Sequence, residues 1–414
     1  MNEKSTNKSE KRIRKNKKRR NFVRNWIAIT LAAIIGVAFV VNMIVPSKTF
    51  SEEENRNLEQ RPKFSLNAVL SGDYFEDLEN YYSDQFVLRD TWIRIKCRIQ
   101  KMAGVKEISG VYLGKSGYLI QDLVSPSETT DEIADAINSF SSNFSNLKVN
   151  TLIVPGAAAI QKDKLPKGAP VSNQCDDIEN FQKKLNSKVN VLDAITPLEE
   201  NSDEYIYYRT DHHWTSLGAK YVFDANCRNL GIDSAVNDYL NYTISDNFRG
   251  TLSSKTGSLG KEDAIEIYDP VGAEVQYYIT YSDSEEQTAS LYDSSRLEEK
   301  DQYTVFMGGN HPVTEIHTTA LSGKSLLIFK DSYANSFVQF LYPYYDNIVL
   351  IDPRYYYDNA YSLIREDDIT DVLILYSANT LFEDRSLADC LNAVINNGGT
   401  EEISEELSEN ETIE

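Results

Sequence analysis

Residues 324–341 read KSLLIFKDSYANSFVQFL, and this stretch decides the fold. Leu326, Leu327, Ile328 and Phe329 form an unbroken apolar run, as expected of a strand buried on both faces. The run ends at Lys330-Asp331-Ser332, and the apolar spacing that follows predicts a helix near Ala334–Leu341. A buried strand passing into a helix through a short polar turn is half of a parallel βαβ unit. The same punctuation recurs on both sides. Upstream, Ile133, Ile137, Phe140, Phe144 and Leu147 mark an amphipathic helix before the strand VNTLIVP (149–155). Phe181 and Leu185 mark another before VNVLD (189–193), and Leu217, Tyr221, Val222 and Ala225 a third after Thr215. Downstream come NIVLID (347–352), DVLILY (371–376) and a helix over 385–397 stopped by Gly398-Gly399. The alternation predicts an α/β domain whose mostly parallel sheet is covered on both faces. Residues 235–310 break the rhythm: YTISDNF, AIEIYD, EVQYYITY and QYTVFM are short β-like runs and predict a β-rich insertion. Nearer the start, Leu66 to about Lys101 has helical spacing, and VYLGKSGYLI (111–120) reads as a hairpin.

In such sheets ligands bind beyond the carboxyl ends of the strands. Chemistry is therefore sought near Pro155, Asp211, Ser332, Asp352 and Asn379. Two of the four histidines are adjacent in YYRTDHHWTSLGAKY (207–221). In an extended segment, positions i and i+2 face one side. Asp211 then accepts from Nδ1–H of His213 and leaves Nε2 as a base, with His212 pointing the other way. The competing reading is a solvated turn ahead of a helix capped by Thr215. A metal reading joins Asp211 and His212 or His213 with His311 or His317; no H-E-x-x-H spacing supports it, and no metal is assigned. Ser332, on a strand-to-helix turn, is the candidate nucleophile, with the N–H groups after it as oxyanion holders. A serine there is also an ordinary helix N-cap, and the turn lacks the glycines of a G-x-S-x-G elbow. Asn379, after DVLILY, and Asn310, in FMGGNHP (306–312), compete as oxyanion donor. Trp214, Tyr333 and Arg354 are candidate substrate contacts. The tyrosine clusters at 342–345 and 355–357 suit either sugar stacking or packing at a half-polar rim.

The chain has 414 residues, of which 41% are hydrophobic and 25% charged, a globular composition that excludes general disorder and a polytopic membrane protein. Its net charge of -21 hides an asymmetry, because residues 1–25 hold 11 Lys/Arg and two Glu. The remainder is strongly acidic, a poor footprint for nucleic acid. Residues 26–45 form a 20-residue apolar run. As helix that length spans about 30 Å, the thickness of a bilayer core. No A-x-A cleavage site follows, so an uncleaved anchor is expected in place of a signal peptide. The basic flank places residues 1–25 in the cytoplasm and everything after about Pro46 outside the cell. Residues 46–65 read as a juxtamembrane linker and 400–414, with seven Glu, as an acidic disordered tail. The four cysteines show no C-x-x-C pair, and outside the cell they are free to form disulfides.

TDHHWT (210–215) resembles the motif that names the DHHW family of bacterial cell-surface proteins. The likeness extends to FSEEENRNLEQRPKFS (50–65), YYSDQFVLRDTWI (81–93), GVYLGKSGYLI (110–120), FRGTLSSKTG (248–257), FMGGNHP and LLIFKDSYANSF (326–337). That family is similar to the SGNH-hydrolase-like domain of alginate O-acetyltransferases, in which Asp-x-His-Trp precedes the serine. The resemblance implies a three-layer α/β/α SGNH-like domain over residues 66–399. It also implies Asp211 as orienter, His213 as general base, Ser332 as nucleophile and Asn379 as oxyanion donor. No cofactor is implied. The implied partners are a cell-surface or exopolysaccharide substrate and a membrane-bound O-acyltransferase that carries the acyl group across the bilayer. The sequence departs from the pattern at Ser377, which stands in place of a glycine, and at Lys330, where Gly-Asp-Ser would be usual. An acyl-serine serves transfer and hydrolysis alike, so O-acetyltransferase and acetylesterase both stay open. The alternatives from other classes are a catalytically silent carbohydrate-binding or assembly protein and a metal-dependent hydrolase.

Overall fold

A computed structural model describes residues 3–397 except Glu52, Asn55, Ser234, Ala235, Asn237 and Glu285, with side chains from Lys17 onward except that of Met43. The Gly398-Gly399 helix stop and the acidic tail lie outside the described residues. The chain divides into two compact units, Met1–Ile95 and Lys96–Glu414.

The first unit begins with helix α1 (Glu3–Ile44), in which Lys17–Asn42 is long and apolar enough to cross a membrane. The helix thus starts well before the apolar run, inside the basic segment. A two-rung ladder, β1 (Phe50–Ser51) with β2 (Arg56–Asn57), follows, then helices α2 (Leu66–Ser71) and α3 (Asp73–Asp84). The Arg56 guanidinium grips the buried Asp84 carboxylate bidentately at 2.8 and 2.6 Å, and Glu59 N–H adds a third donor. These bonds hold that carboxyl below the usual range. They also explain a difference from the expected boundary at Leu66: the helices after it are tied to the juxtamembrane segment, and the division falls at Ile95, within α4 (Arg89–Met102).

The second unit opens with an antiparallel meander of β3 (Glu107–Ile108), β4 (Val111–Leu113) and β5 (Leu119–Gln121), the hairpin expected at 111–120. Then α5 (Glu128–Asn143), β6 (Lys148–Val154), α6 (Ala157–Ile160), α7 (Gln174–Gln182), β7 (Val189–Leu192), α8 (Ile195–Glu200) and α9 (Ser216–Asn226) alternate as read, with Thr215 capping α9 through Gly218 N–H. A ribbon of β8 (Tyr239–Phe248) and β9 (Asp263–Pro270) flanks the short α10 (Thr251–Lys255). Strands β10 (Tyr277–Tyr281), β11 (Gln287–Thr288), β12 (Val313–Thr318), β13 (Ser325–Lys330), β14 (Asn347–Ile351) and β15 (Asp371–Ser377) complete the fold with helices α11 (Ala360–Glu366), α12 (Ala378–Glu383) and α13 (386–397).

The main sheet has eight strands in the order β11-β10-β12-β14-β13-β15-β6-β7. Strands β14, β13, β15, β6 and β7 run parallel, and β12, β10 and β11 extend the sheet antiparallel. Alternate β13 residues serve opposite cores: Leu326 and Ile328 pack with α9, whereas Leu327 and Phe329 pack with α5, α11 and α12. This makes three layers, α/β/α. Strand β13 lies between β14 and β15, so the chain leaves its carboxyl end toward one neighbour and later returns on the other side. That is a topological switch point, the place where such sheets bind ligands.

Three expectations are corrected. Residues 235–310 are only partly an insertion, since β10 and β11 join the main sheet. QYTVFM is a 3-10 turn (Gln302–Val305) that buries Tyr303 and Val305, and its apolar alternation comes from that burial. The helix expected at 334–341 is a chain of 3-10 turns, Ser332–Ser336, Val338–Phe340 and Tyr342–Tyr344. Tyr333–Leu341 are all buried, which leaves no solvent face for an amphipathic helix, and Pro343 follows at once. Within the tyrosine clusters, Tyr342 and Tyr345 are core residues, while Tyr355 and Tyr357 are exposed.

Candidate active site

The DHHW segment is the tip of a tight hairpin. Tyr207 and Trp214 form an antiparallel bridge, Tyr208 N–H donates to His213 O, and Thr215 N–H donates to Ile206 O. Buried Asp263 anchors the tip by accepting from Arg209 N, Thr210 N, Thr210 Oγ1 and the Tyr205 hydroxyl at 2.5–2.8 Å. Burial pushes its carboxyl up, against those four donors. Asp211 Oδ1 then accepts from both the backbone N–H and Nδ1 of His213, at 3.1 and 2.5 Å. Its Oδ2 accepts from Thr251 N and Oγ1 at the start of α10. Gly250 backs this contact: a Cβ there would overlap the carboxylate. Burial raises the Asp211 pKa, but the two imidazoles and Thr251 N–H outweigh it and hold the carboxyl far below its usual range. An ionised carboxylate only accepts, so the Nδ1 proton is on His213 and Nε2 is the acceptor.

That Nε2 lies 2.7 Å from Ser332 Oγ. The sequence-predicted Asp211, His213 and Ser332 are thus brought into one hydrogen-bonded chain. Tyr303 stacks flat on the His213 ring at 3.7 Å and donates to Ser332 O and Ser336 Oγ. Sequence reasoning missed Tyr303, Thr251 and Asp263; the FRGTLSSKTG block was the one signal near Thr251. His212 does not point away as expected. Its ring sits 3.9 Å from that of His213 and its Nδ1 pairs with Thr251 Oγ1, because a hairpin tip does not alternate faces as an extended strand does. Burial, then the neighbouring His213, pushes its pKa down to about 4.

Asp211, His212 and His213 also offer ligand atoms within 4.8 Å of one another. Asp211 Oδ1, both ring nitrogens of His213 and His212 Nδ1 already make hydrogen bonds, and His311 and His317 pair with Asp283 and with Asn347. The four cysteines are free thiols, three of them buried, so the expected option of disulfides is not realised.

The remaining predicted residues divide. Trp214 is fully buried, donates to Tyr333 O and stacks on Phe337, tying the hairpin to the serine turn from below. Tyr333 is buried, with its hydroxyl on His212 O. Its N–H is taken by Asp331 Oδ1, so it is not available to an oxyanion as the sequence suggested. Arg354 grips buried Asp352 bidentately at 2.8 and 2.6 Å. Asn379 is fixed on both sides: Oδ1 accepts from Val124 N and Gln174 Nε2, and Nδ2 donates to Asp122 O. Asn310 is exposed, and its Oδ1 accepts from Lys330 Nζ and Asn335 Nδ2. A small cavity beside the relay is lined by Gln121, His212, Tyr333, Asn379, Thr380 and Glu383, among others.

A Ser–His–Asp hydrogen-bonded chain thus stands at the switch point of a parallel sheet with helices on both faces, an α/β arrangement. Residues 107–351, more than half of the chain, match the family model described as DHHW protein. The protein therefore belongs to the DHHW family. It is similar to a crystal structure of a DHHW family protein from Eubacterium siraeum DSM 15702, with 26% identity, a TM-score of 0.58, and coverage of 70% of this chain and 96% of that one. Bacillus cereus PatB1, solved with a sulfonyl adduct, shares the fold at 20% identity and a TM-score of 0.57, covering 67% of this chain and 99% of that one. No curated protein sequence matches this chain.

Proposed function

We propose that the protein is an O-acetyltransferase or acetylesterase that acts on a cell-surface or exopolysaccharide through an acyl-enzyme on Ser332. The observation that carries this reading is His213, which bridges Ser332 Oγ at 2.7 Å and Asp211 Oδ1 at 2.5 Å. Geometry supports the reaction class; the acetyl group and the polysaccharide come from the resemblance to the alginate O-acetyltransferase domain. In the first half-reaction, Ser332 Oγ attacks the acyl carbonyl as its proton passes to His213 Nε2. The imidazolium, stabilised by Asp211, returns that proton to the departing oxygen. In the second half, an acceptor hydroxyl or water gives its proton to Nε2 and takes the acyl group, which regenerates the serine. Ser332 N–H has no partner among the described residues and faces no competitor for the tetrahedral oxyanion.

Helix α1 anchors the protein in the cell membrane with residues 1–25 inside, residues 46–65 linking it to an external catalytic domain. A site outside the cell is separated from cytosolic acyl donors, so a membrane-bound O-acyltransferase is the partner that delivers the acyl group.

The test is hydrolysis of a chromogenic acetyl ester by the full chain in detergent, beside Ser332→Ala. Turnover in the parent and its loss in the variant are expected. Equal turnover in both would end the acyl-serine reading and leave a binding role for the cleft.

A further inference from the structure

The loop that carries Asn310 is held by an unusual clamp. Met307, Gly308 and Gly309 take φ of +63°, +69° and +115°, three successive left-handed residues. Glycine takes such angles freely but Met307 does not, and its N–H is held by Leu291 O. Lys330, only 2% exposed, clamps the residue that follows this run. Its Nζ donates to Asn310 Oδ1 at 3.0 Å and to Asn335 Oδ1 at 2.8 Å, with Asp352 Oδ2 at 3.7 Å as counter-charge. Asn335 Nδ2 in turn donates to Gly309 O and to Asn310 Oδ1.

Two consequences follow. Lys330 and Asn335 flank Ser332 in the chain, one at the end of β13 and one in the 3-10 turn, so their bonds tie Asn310 to the segment that carries the serine. An amide whose oxygen accepts two donors from the protein also has its NH2 turned the other way. Asn310 Nδ2 has no partner among the described residues, and the residue is exposed. Asn379, by contrast, spends its amide on the 122–124 segment.

We propose that Asn310 donates from Nδ2 to the oxyanion formed at Ser332, and that Lys330 is the positioning residue that fixes this amide. The proposal rests on the acyl-serine reading and adds to it a second oxyanion donor and the device that aims it. A buried ammonium is costly to retain for packing alone. Here it orients a neutral donor toward the turn where negative charge develops.

The test is the rate at which a phenylmethanesulfonyl fluoride adduct forms on Ser332 in the full chain, followed by intact mass; negative charge also grows on the sulfonyl oxygens. Asn310→Ala should slow it by about 100-fold or more, as loss of an oxyanion donor does. Lys330→Met should slow it comparably, yet add nothing in the Asn310→Ala background. Where Lys330→Met does not fold, Asn335→Leu removes the other donor to Asn310 and is read in the same cycle. Unchanged labelling in Asn310→Ala, or losses that simply multiply in the double variant, would overturn the proposal. A parent chain that forms no adduct on Ser332 would bring down the acyl-serine reading too, whereas fast labelling of both parent and Asn310→Ala would sink this proposal alone.

Discussion

Ser332 and Ser377 stand at the carboxyl ends of neighbouring parallel strands, β13 and β15, each where the chain turns into helical geometry. Ser377 does what a serine in that position commonly does: its Oγ accepts from Thr380 N–H and caps α12. At Ser332 the cap is Asp331. Its Oδ1 takes Tyr333 N–H and its Oδ2 takes Ser377 N–H from the adjacent strand end. With the orphan donor already satisfied by its neighbour, the Ser332 hydroxyl is released to His213. In the proposed role of nucleophile, Ser332 thus relies on a second residue that relieves it of capping, as well as on a base.

The sharpest way to break this comparison is to remove each hydroxyl in turn. Ser332→Ala should cost about a million-fold in turnover, as loss of a triad serine can, with folding intact. Asp211→Asn should preserve the fold and lower turnover by about 10⁴-fold, because His213 would lose the acceptor that sets its tautomer. Near-normal turnover in Asp211→Asn would mean that His213 is oriented by something else. Gly250→Ala pushes a methyl into the Asp211 carboxylate and should cost about 100-fold, the scale of a 1 Å misplacement; a crystal structure of the variant would show the displaced carboxylate.

His212 gives a pH signature on the stability of the Ser332 side. Its folded pKa, about 4, lies below the value near 6.5 of an unfolded imidazole. Between those limits the unfolded chain binds the extra proton, so stability falls as pH drops from about 6.5 to about 4. His212→Gln should flatten that part of a plot of Tm against pH, and an unchanged slope would count against the assignment. The smallest effect is at Ser377. Loss of its cap should destabilise the protein by about 1 kcal/mol with turnover unchanged, read by denaturant melts beside the ester assay.

Much of this was legible in the chain. Buried strands announced themselves because a strand covered on both faces has no polar alternation, and the motif blocks named Asp211, His213 and Ser332. What escaped depends on partners distant in sequence. The two candidate asparagines look alike as turn residues, yet Asn379 is locked by Val124, 255 residues away, while Asn310 is held by Lys330. Tyr303 was hidden inside a run that mimicked a strand, since burial of alternate residues looks the same in a 3-10 turn. His212 was misplaced because the i, i+2 rule holds for extended backbone and fails at a hairpin tip.

The most direct test of the account is peptide mapping of the full chain after treatment with phenylmethanesulfonyl fluoride, in parallel with Ser332→Ala and Ser377→Ala. A single adduct on the Ser332 peptide is predicted, retained in Ser377→Ala and absent from Ser332→Ala. Labelling that persists in Ser332→Ala, or that follows Ser377, would contradict the central claim that the two strand-end serines divide the work of nucleophile and cap.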